Sequence, residues 1–231
     1  MEIHDILSRV KNDGRKLLYY HEAKEILVAC GIPTAPFRVA SNREEAVEAA
    51  LSIGFPVVMK ILSPDLVHKS DAGAVAVDLR TEAEVARAFY SMMDHVRGRN
   101  STLRVEGVIL EKMLSGIEMI VGTTHDVQFG PVLMLGTGGI WTELLKDTSF
   151  RLIPIEPIDA EEMIEDLQAR PLLQGYRGQR VDLEGLKNLL LKTSDLIHRF
   201  GEITSMDLNP VFASSEGCTV ADVRMMIREG T

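Results

Sequence analysis

The chain has 231 residues, 45% apolar and 26% charged, with a formal charge of −9. That is the balance of a globular protein large enough for two lobes, and it argues against a basic nucleic-acid footprint. No apolar run reaches the ~18 residues that span a bilayer, Cys30 and Cys218 lack metal-ligand spacing, and Met1-Glu2-Ile3-His4-Asp5 has no signal-peptide character, so a reducing, cytoplasmic setting is expected.

The predicted elements mix α and β, with no internal repeat. His21 to Cys30 reads as a helix ended by Gly31, with Pro33 beyond it. Pro36 to Val39 is a short strand. Ser41-Asn42-Arg43-Glu44 has capping-box spacing and opens a helix that stops at Gly54. An apolar strand, Phe55 to Leu62, carries Lys60. After the loop around His68, Ala74 to Leu79 alternates as a strand. Thr81-Glu82-Ala83-Glu84 is a second capping box, opening a helix to about Val96. Strands are expected at Val105–Met113, Glu118–Thr123 and Pro131–Leu135, followed by a glycine-rich turn, Gly136 to Gly139. Helices follow at about Ala160–Gln168 and Leu183–Phe200. The end is again β, at Ile203–Leu208, Val211–Phe212 and Thr219–Val223. The boundary between lobes falls near Glu111 to Gly116.

Several residues have the chemistry of a phosphate site. Lys60 lies among Val57, Val58, Ile61 and Leu62, where a buried ammonium costs several kcal/mol unless it snorkels to the edge or meets an anion. His68 follows in a loop, Leu66 to Val75. A neutral imidazole there suits phosphoryl transfer, although a solvated loop histidine is the plainer reading. Ser70 and Gly73 are small enough for the loop to fold over a phosphate; Asp71 suits either a hydrogen bond to the ring or a turn cap. Gly136, Gly138 and Gly139 form a second permissive segment, either an anion cradle or only a turn. It is neither a Walker loop nor a Rossmann fingerprint.

Asp207 and Asn209 alternate on one strand, so both project from one face. Asp222, expected on a second strand of the same hairpin, completes a set of hard oxygen donors suited to magnesium. Glu111 and Glu118 bracket a linker whose backbone can read an adenine edge and whose carboxylates can hold ribose hydroxyls. Asp126, Glu143 and Asp147, taken singly, read as surface residues.

A strand lysine, a phosphate loop, a hinge with glutamates, an Asp-x-Asn pair and a later Asp together resemble the ATP-grasp fold. The chain is similar to the β subunit of the acetate–CoA ligases (ADP-forming), the nucleoside-diphosphate-forming acyl-CoA synthetases. The succinyl-CoA synthetase β subunit is a more distant relative. The resemblance spans about His21 to Met226 and is most specific at Val58–Val75, Glu111–Gly122, Phe129–Glu143 and Asp207–Asp222.

It implies an α+β fold of two α/β lobes with nucleotide bound between them. Residues 1–20 would pack on the second lobe, 21–112 would form the first lobe and 113–231 the second. Lys60 would hold nucleotide phosphates, with Ser70 and Gly73 in the phosphate loop, Glu111 and Met113 at the adenine hinge, and Glu118 on the nucleotide side of the cleft. Asn209 and Asp222 would bind Mg²⁺. Asp207 would lie between metal and phosphohistidine. Gly136, Gly138 and Gly139 would form a phosphate loop or a subunit contact. The implied partner is a CoA-binding α subunit, in an α2β2 assembly. The implied reaction is acyl-CoA + ADP + phosphate ⇌ carboxylic acid + CoA + ATP. The succinyl-type subunit has a glycine-rich segment where this chain has His68. That favours the acetate-type enzymes, in which a β-subunit histidine carries the phosphoryl group. The succinyl-type C-terminal CoA-ligase domain would sit on another polypeptide. Two rival classes are an ATP-grasp carboxylate–amine ligase, which needs no phosphohistidine, and a non-catalytic nucleotide-sensing subunit.

Overall fold

Two antiparallel sheets organise the chain. A computed structural model describes residues 3–63, 73–99, 104–138, 147–175 and 180–228. These divide into two compact units, one of residues 35–113 and one of residues 1–34 with 114–231.

The smaller unit contains β1 (Phe37–Ala40), α1 (Arg43–Ile53), β2 (Val57–Leu62), β3 (Val75–Leu79), α2 (Glu82–Arg99) and β4 (Gly107–Lys112). Its sheet order is β1-β4-β2-β3. Met59, Ile61, Val108 and Leu110 pack with Ala46, Ala50, Val85 and Phe89 of the two helices. Burying these apolar side chains drives the layer together. The second capping box is present: the Glu84 amide donates to Thr81 Oγ1 (3.3 Å) and the Thr81 amide to the Glu84 carboxylate (3.1 Å). The first is shifted by one residue. Asn42, not Ser41, caps α1 by accepting from the Glu45 amide (2.9 Å), while the Glu45 carboxylate accepts from the Ser41 amide (2.7 Å). Spacing of three is preserved; only the residue at its start differs. Gly107 has φ +145°, and a Cβ there would stand 2.5 Å from the Ala40 carbonyl oxygen, so this entry to β4 requires glycine.

The larger unit begins with two helices, here α3 (Ile3–Asn12) and α4 (Tyr20–Ala29). It continues with β5 (Ile117–Asp126), β6 (Gly130–Thr137), β7 (Thr148–Leu152), α5 (Pro157–Glu165), α6 (Arg170–Leu173) and α7 (Leu183–Arg199). β8 (Ile203–Ser214), β9 (Gly217–Val220) and β10 (Val223–Ile227) complete it. The sheet order is β10-β8-β5-β6-β7, with β9 paired to β8. Helix α3 and strand β7 lie outside the predicted elements. The sequence reading starts the first lobe at residue 21, whereas the structure starts the smaller unit at Ala35 and groups α4 with the larger one. The reason is pairing: α4 packs on β10, and Val220 N–H donates to the Pro33 carbonyl (2.8 Å) just beyond it.

The segment between α3 and α4 runs along β10. Leu18 N–H donates to Met225 O (3.0 Å), and Ile227 N–H to Lys16 O (2.8 Å). It is held by Arg15, whose two terminal nitrogens donate to both carboxylate oxygens of buried Glu22 at 2.8 and 2.9 Å, with the guanidinium over the Tyr19 ring. Burial pushes the Glu22 carboxyl up, but the Arg15 hydrogen bonds and the Tyr19 amide outweigh it and hold the carboxyl below its ordinary value. A depressed carboxylate contributes stability above its unfolded value, near 4.5, that is lost as pH falls through the folded value. Arg15→Met is therefore expected to cost about 3 kcal/mol at pH 7, because it strips a buried carboxylate of its main partner. In that variant burial dominates and the Glu22 carboxyl rises, so the deficit should shrink as acid protonates it. Denaturant titrations at pH 7 and near pH 4 check this; a deficit equal at both would rule out Glu22 as its cause.

Candidate active site

In the smaller unit, β2 and β4 pair with Val58 opposite Glu111 and Lys60 opposite Ile109. Lys60 and Glu111 are thus diagonal neighbours on one face, within reach of long side chains. Lys60 Nζ lies 2.7 Å from Glu111 Oε2; the residues are only 8% and 2% exposed. The strand lysine does meet an anion, and that anion is this chain's own carboxylate. Glu111 lies buried within β4, so it is not a linker residue. The pair holds the Lys60 ammonium in place on that face. Met113 ends the unit, and its N–H donates to the Pro56 carbonyl (3.2 Å). Gly73 adopts φ +64°, and a Cβ on it would stand 2.8 Å from His95 Cδ2, so glycine is required just before β3. His68 and Ser70 lie outside the described residues, as do Asp71, Gly139 and Glu143.

In the larger unit, burial alternates along β8: Met206 and Leu208 are buried, while Asp207 and Asn209 are exposed on the opposite face. Residues directly opposite each other on paired strands share a face. The register therefore sets one row across the open side of the sheet: Arg224, Asp207, Gly122, Met134 and Phe150. Asp222 is not on a second strand of a hairpin, as expected, but in the step between β9 and β10. The predicted strands Ile203–Leu208 and Val211–Phe212 merge, because β8 runs unbroken from Ile203 to Ser214. The Asn209 amide donates to the Asp222 carbonyl (3.2 Å), and the Ala221 amide to the Pro210 carbonyl (3.0 Å), which fastens the step against Asn209. Asp207 has its carboxyl raised, first by desolvation and then by Asp222, against the opposing pull of Arg224.

Among the described residues no three His, Cys, Asp or Glu side chains group to hold a metal. Two carboxylates and an amide, Asp207, Asp222 and Asn209, are hard oxygen donors too few to enclose an ion. That suits magnesium, which takes few protein ligands and completes its shell from water and phosphate.

Glu118 is exposed on β5, and its carbonyl accepts from the Gly138 amide (2.6 Å). A Cβ on Gly138 would come within 2.8 Å of the Glu118 backbone, so this close approach needs glycine. Gly136 belongs to β6, opposite Ile120 and Thr148, rather than to a turn. Asp147 is buried instead of lying at the surface, accepting from the Gln168 (2.7 Å) and Ala169 (2.9 Å) amides. Neither cysteine is an activated nucleophile: burial raises the Cys30 thiol and, helped by Asp182, pushes Cys218 up to about 12.

The Lys60–Glu111 pair lies on the sheet of the smaller unit, and the row of Asp207 and Asn209 on the sheet of the larger one. A family model for the ATP-grasp domain matches residues 9–227. The chain belongs to the ATP-grasp family. Among ATP-grasp proteins it is 44% identical over 225 residues to the acetate–CoA ligase [ADP-forming] I β subunit of Pyrococcus furiosus, covering 96% of this chain and 97% of that one. It is 43% identical to the acetate–CoA ligase [ADP-forming] I of Archaeoglobus fulgidus, covering 97% of this chain but a third (33%) of that longer protein. A solved structure of Candidatus Korarchaeum cryptofilum dinucleotide forming acetyl-coenzyme A synthetase 1, with coenzyme A and Ca-AMPCP, matches at 42% identity and TM-score 0.95. It covers 98% of this chain and 100% of that one. The same synthetase with Mg-AMPPCP, its phosphohistidine segment pointing towards the nucleotide site, matches at 41% identity and TM-score 0.87, with equal coverage. The α+β fold is thus that of an ATP-grasp domain. Among the described residues no helix is long and apolar enough to cross a membrane.

Proposed function

We propose that this chain is the nucleotide-binding β subunit of an ADP-forming acyl-CoA synthetase: an acid–thiol ligase that makes ATP from acyl-CoA, ADP and phosphate together with a CoA-binding α subunit. The observation that carries this reading is the end-to-end likeness to the Pyrococcus β subunit. The Archaeoglobus relative, of which this chain spans one third, supports a larger partner supplying the CoA half. An α2β2 assembly and a cytoplasmic location belong to the same reading.

On the partner, phosphate cleaves the thioester, releasing CoA and leaving an acyl phosphate. Its phosphoryl group passes to histidine and frees the carboxylate. His68 of this chain takes the phosphoryl group and transfers it to the terminal oxygen of ADP, forming ATP. Lys60, held by Glu111, contacts the nucleotide phosphates. Met113 serves the adenine end, Glu118 the ribose side, and Ser70, Gly73, Gly136, Gly138 and Gly139 the phosphate loops, while Glu111 acts by positioning Lys60. Asp207 orients the His68 imidazole. Asn209 and Asp222 hold Mg²⁺, which when bound supplies positive charge to the phosphates. Such transfer depends on positioning and charge neutralisation more than on covalent help from the protein.

Incubation of the chain with [γ-³²P]ATP and Mg²⁺ should leave acid-labile label on it. Absence of label despite measurable nucleotide binding would favour the ligase or sensor classes. In parallel, Asn209→Ala with Asp222→Ala should weaken Mg-nucleotide binding by about tenfold or more, the scale of two lost charged or polar contacts. An unchanged calorimetric titration would remove the metal assignment.

A further inference from the structure

We propose that Arg224 binds the terminal phosphoryl group of the nucleotide. This rests on the nucleotide-binding reading above and names a residue in it that the sequence patterns did not single out.

The placement comes from register and burial. Arg224 is the partner of Asp207 across the β8–β10 ladder. Val223 and Met225, on either side of it, are buried, and Arg224 is exposed. Its side chain therefore shares the open face with Asp207 and Asn209 rather than the helix-covered face with Met206 and Leu208. The Asn209–Asp222 contact lies at one end of this group, and the Arg224–Asp207 pair at the other. With the metal at Asn209 and Asp222, Arg224 lies beside it, two residues along from Asp222 and directly across from Asp207, where it can reach a phosphoryl group that the metal also holds. Next to Asp207 on the other flank is Gly122, which leaves that position without a side chain.

Charge supports the same role. Asp207 and Asp222 bring two negative charges to the edge, enough to match one divalent ion. A terminal phosphoryl group adds more, and a cation across the ladder from Asp207 offsets it. A guanidinium suits this task because its planar fork donates two parallel hydrogen bonds to phosphate oxygens. The plainer alternative is that Arg224 is only a cross-strand counterion of Asp207.

The test compares a triphosphate analogue with a diphosphate. Mg-AMPPCP and Mg-ADP are titrated calorimetrically into the whole wild-type chain, Arg224→Met and Arg224→Lys, and each protein is melted. Arg224→Met should weaken Mg-AMPPCP by about tenfold or more, the scale of a lost hydrogen bond to a charged group, and change Mg-ADP by less than about twofold. Arg224→Lys, which keeps charge but not the fork, should fall between. Equal affinities in all three proteins, or equal losses for both nucleotides, would overturn the proposal in favour of the counterion. If Arg224→Met does not fold, Arg224→Lys decides: selective weakening of Mg-AMPPCP supports the role and equal binding overturns it. A wild-type chain that binds neither nucleotide would instead overturn the nucleotide-binding reading itself.

Discussion

Alanine in place of His68 is expected to abolish acyl-CoA-dependent ATP formation, a fall of about a thousandfold or more, while Mg-ADP affinity stays within about twofold. The separation follows from the division of labour. A phosphoryl carrier is consumed and regenerated in each turnover, so no neighbouring group substitutes for its nucleophilic nitrogen. In the proposed site nucleotide affinity comes from Lys60, the phosphate loops and the Asp207–Asn209–Asp222 edge, none of which the substitution removes. Two measurements check this: coupled ATP formation with the CoA-binding subunit present, and calorimetric ADP binding by the chain alone. Turnover at the wild-type rate would end the carrier role.

The second large effect is expected at Lys60 and Glu111. Lys60→Met leaves the Glu111 carboxylate buried without its ammonium and should cost roughly 3–5 kcal/mol. Glu111→Leu alone should cost a similar amount, because it removes the carboxylate partner of a buried lysine. The double variant replaces the pair with apolar groups and should recover most of that stability, since a buried pair is often no better than a hydrophobic substitute. It should nevertheless bind Mg-nucleotide at least about tenfold more weakly, because the recovered fold lacks the phosphate lysine. Chemical denaturation separates the first effect, and nucleotide titration the second. A double variant that is stable and binds nucleotide like wild type would make the pair purely structural.

Much of the smaller unit was legible in advance because its signals are local. Thr81 and Glu84 make their reciprocal bonds within one turn, and Gly54 stops α1 where the helix periodicity ends. Helix α3 was missed. Ile6, Leu7 and Val10 form its buried stripe, a period-compatible signal that a short, charged N-terminal segment made easy to pass over. Strand β7 was missed because only its β6 partner identifies it: Phe150 and Leu152 are exposed, so its apolar pattern does not point to a core. Asp147 read as surface because its ligands, the Gln168 and Ala169 amides, come from a distant connection.

The sequence by itself determined the chemical inventory: a lysine that had to meet an anion, an Asp-x-Asn alternation on one strand face, and the ATP-grasp pattern into which they fit. Each depends on side-chain type and on spacing within a few residues. Tertiary structure alone decided the partners. Glu111 reaches Lys60 only because β4 pairs with β2, Asp222 meets Asn209 in a step between strands, and Arg224 joins Asp207 through the β8–β10 register. Strand register is set by burying one whole face of a sheet, and a slip of one residue would send every one of these side chains to the opposite side. No short stretch of sequence holds that information, because the apolar residues that enforce it are spread across the chain.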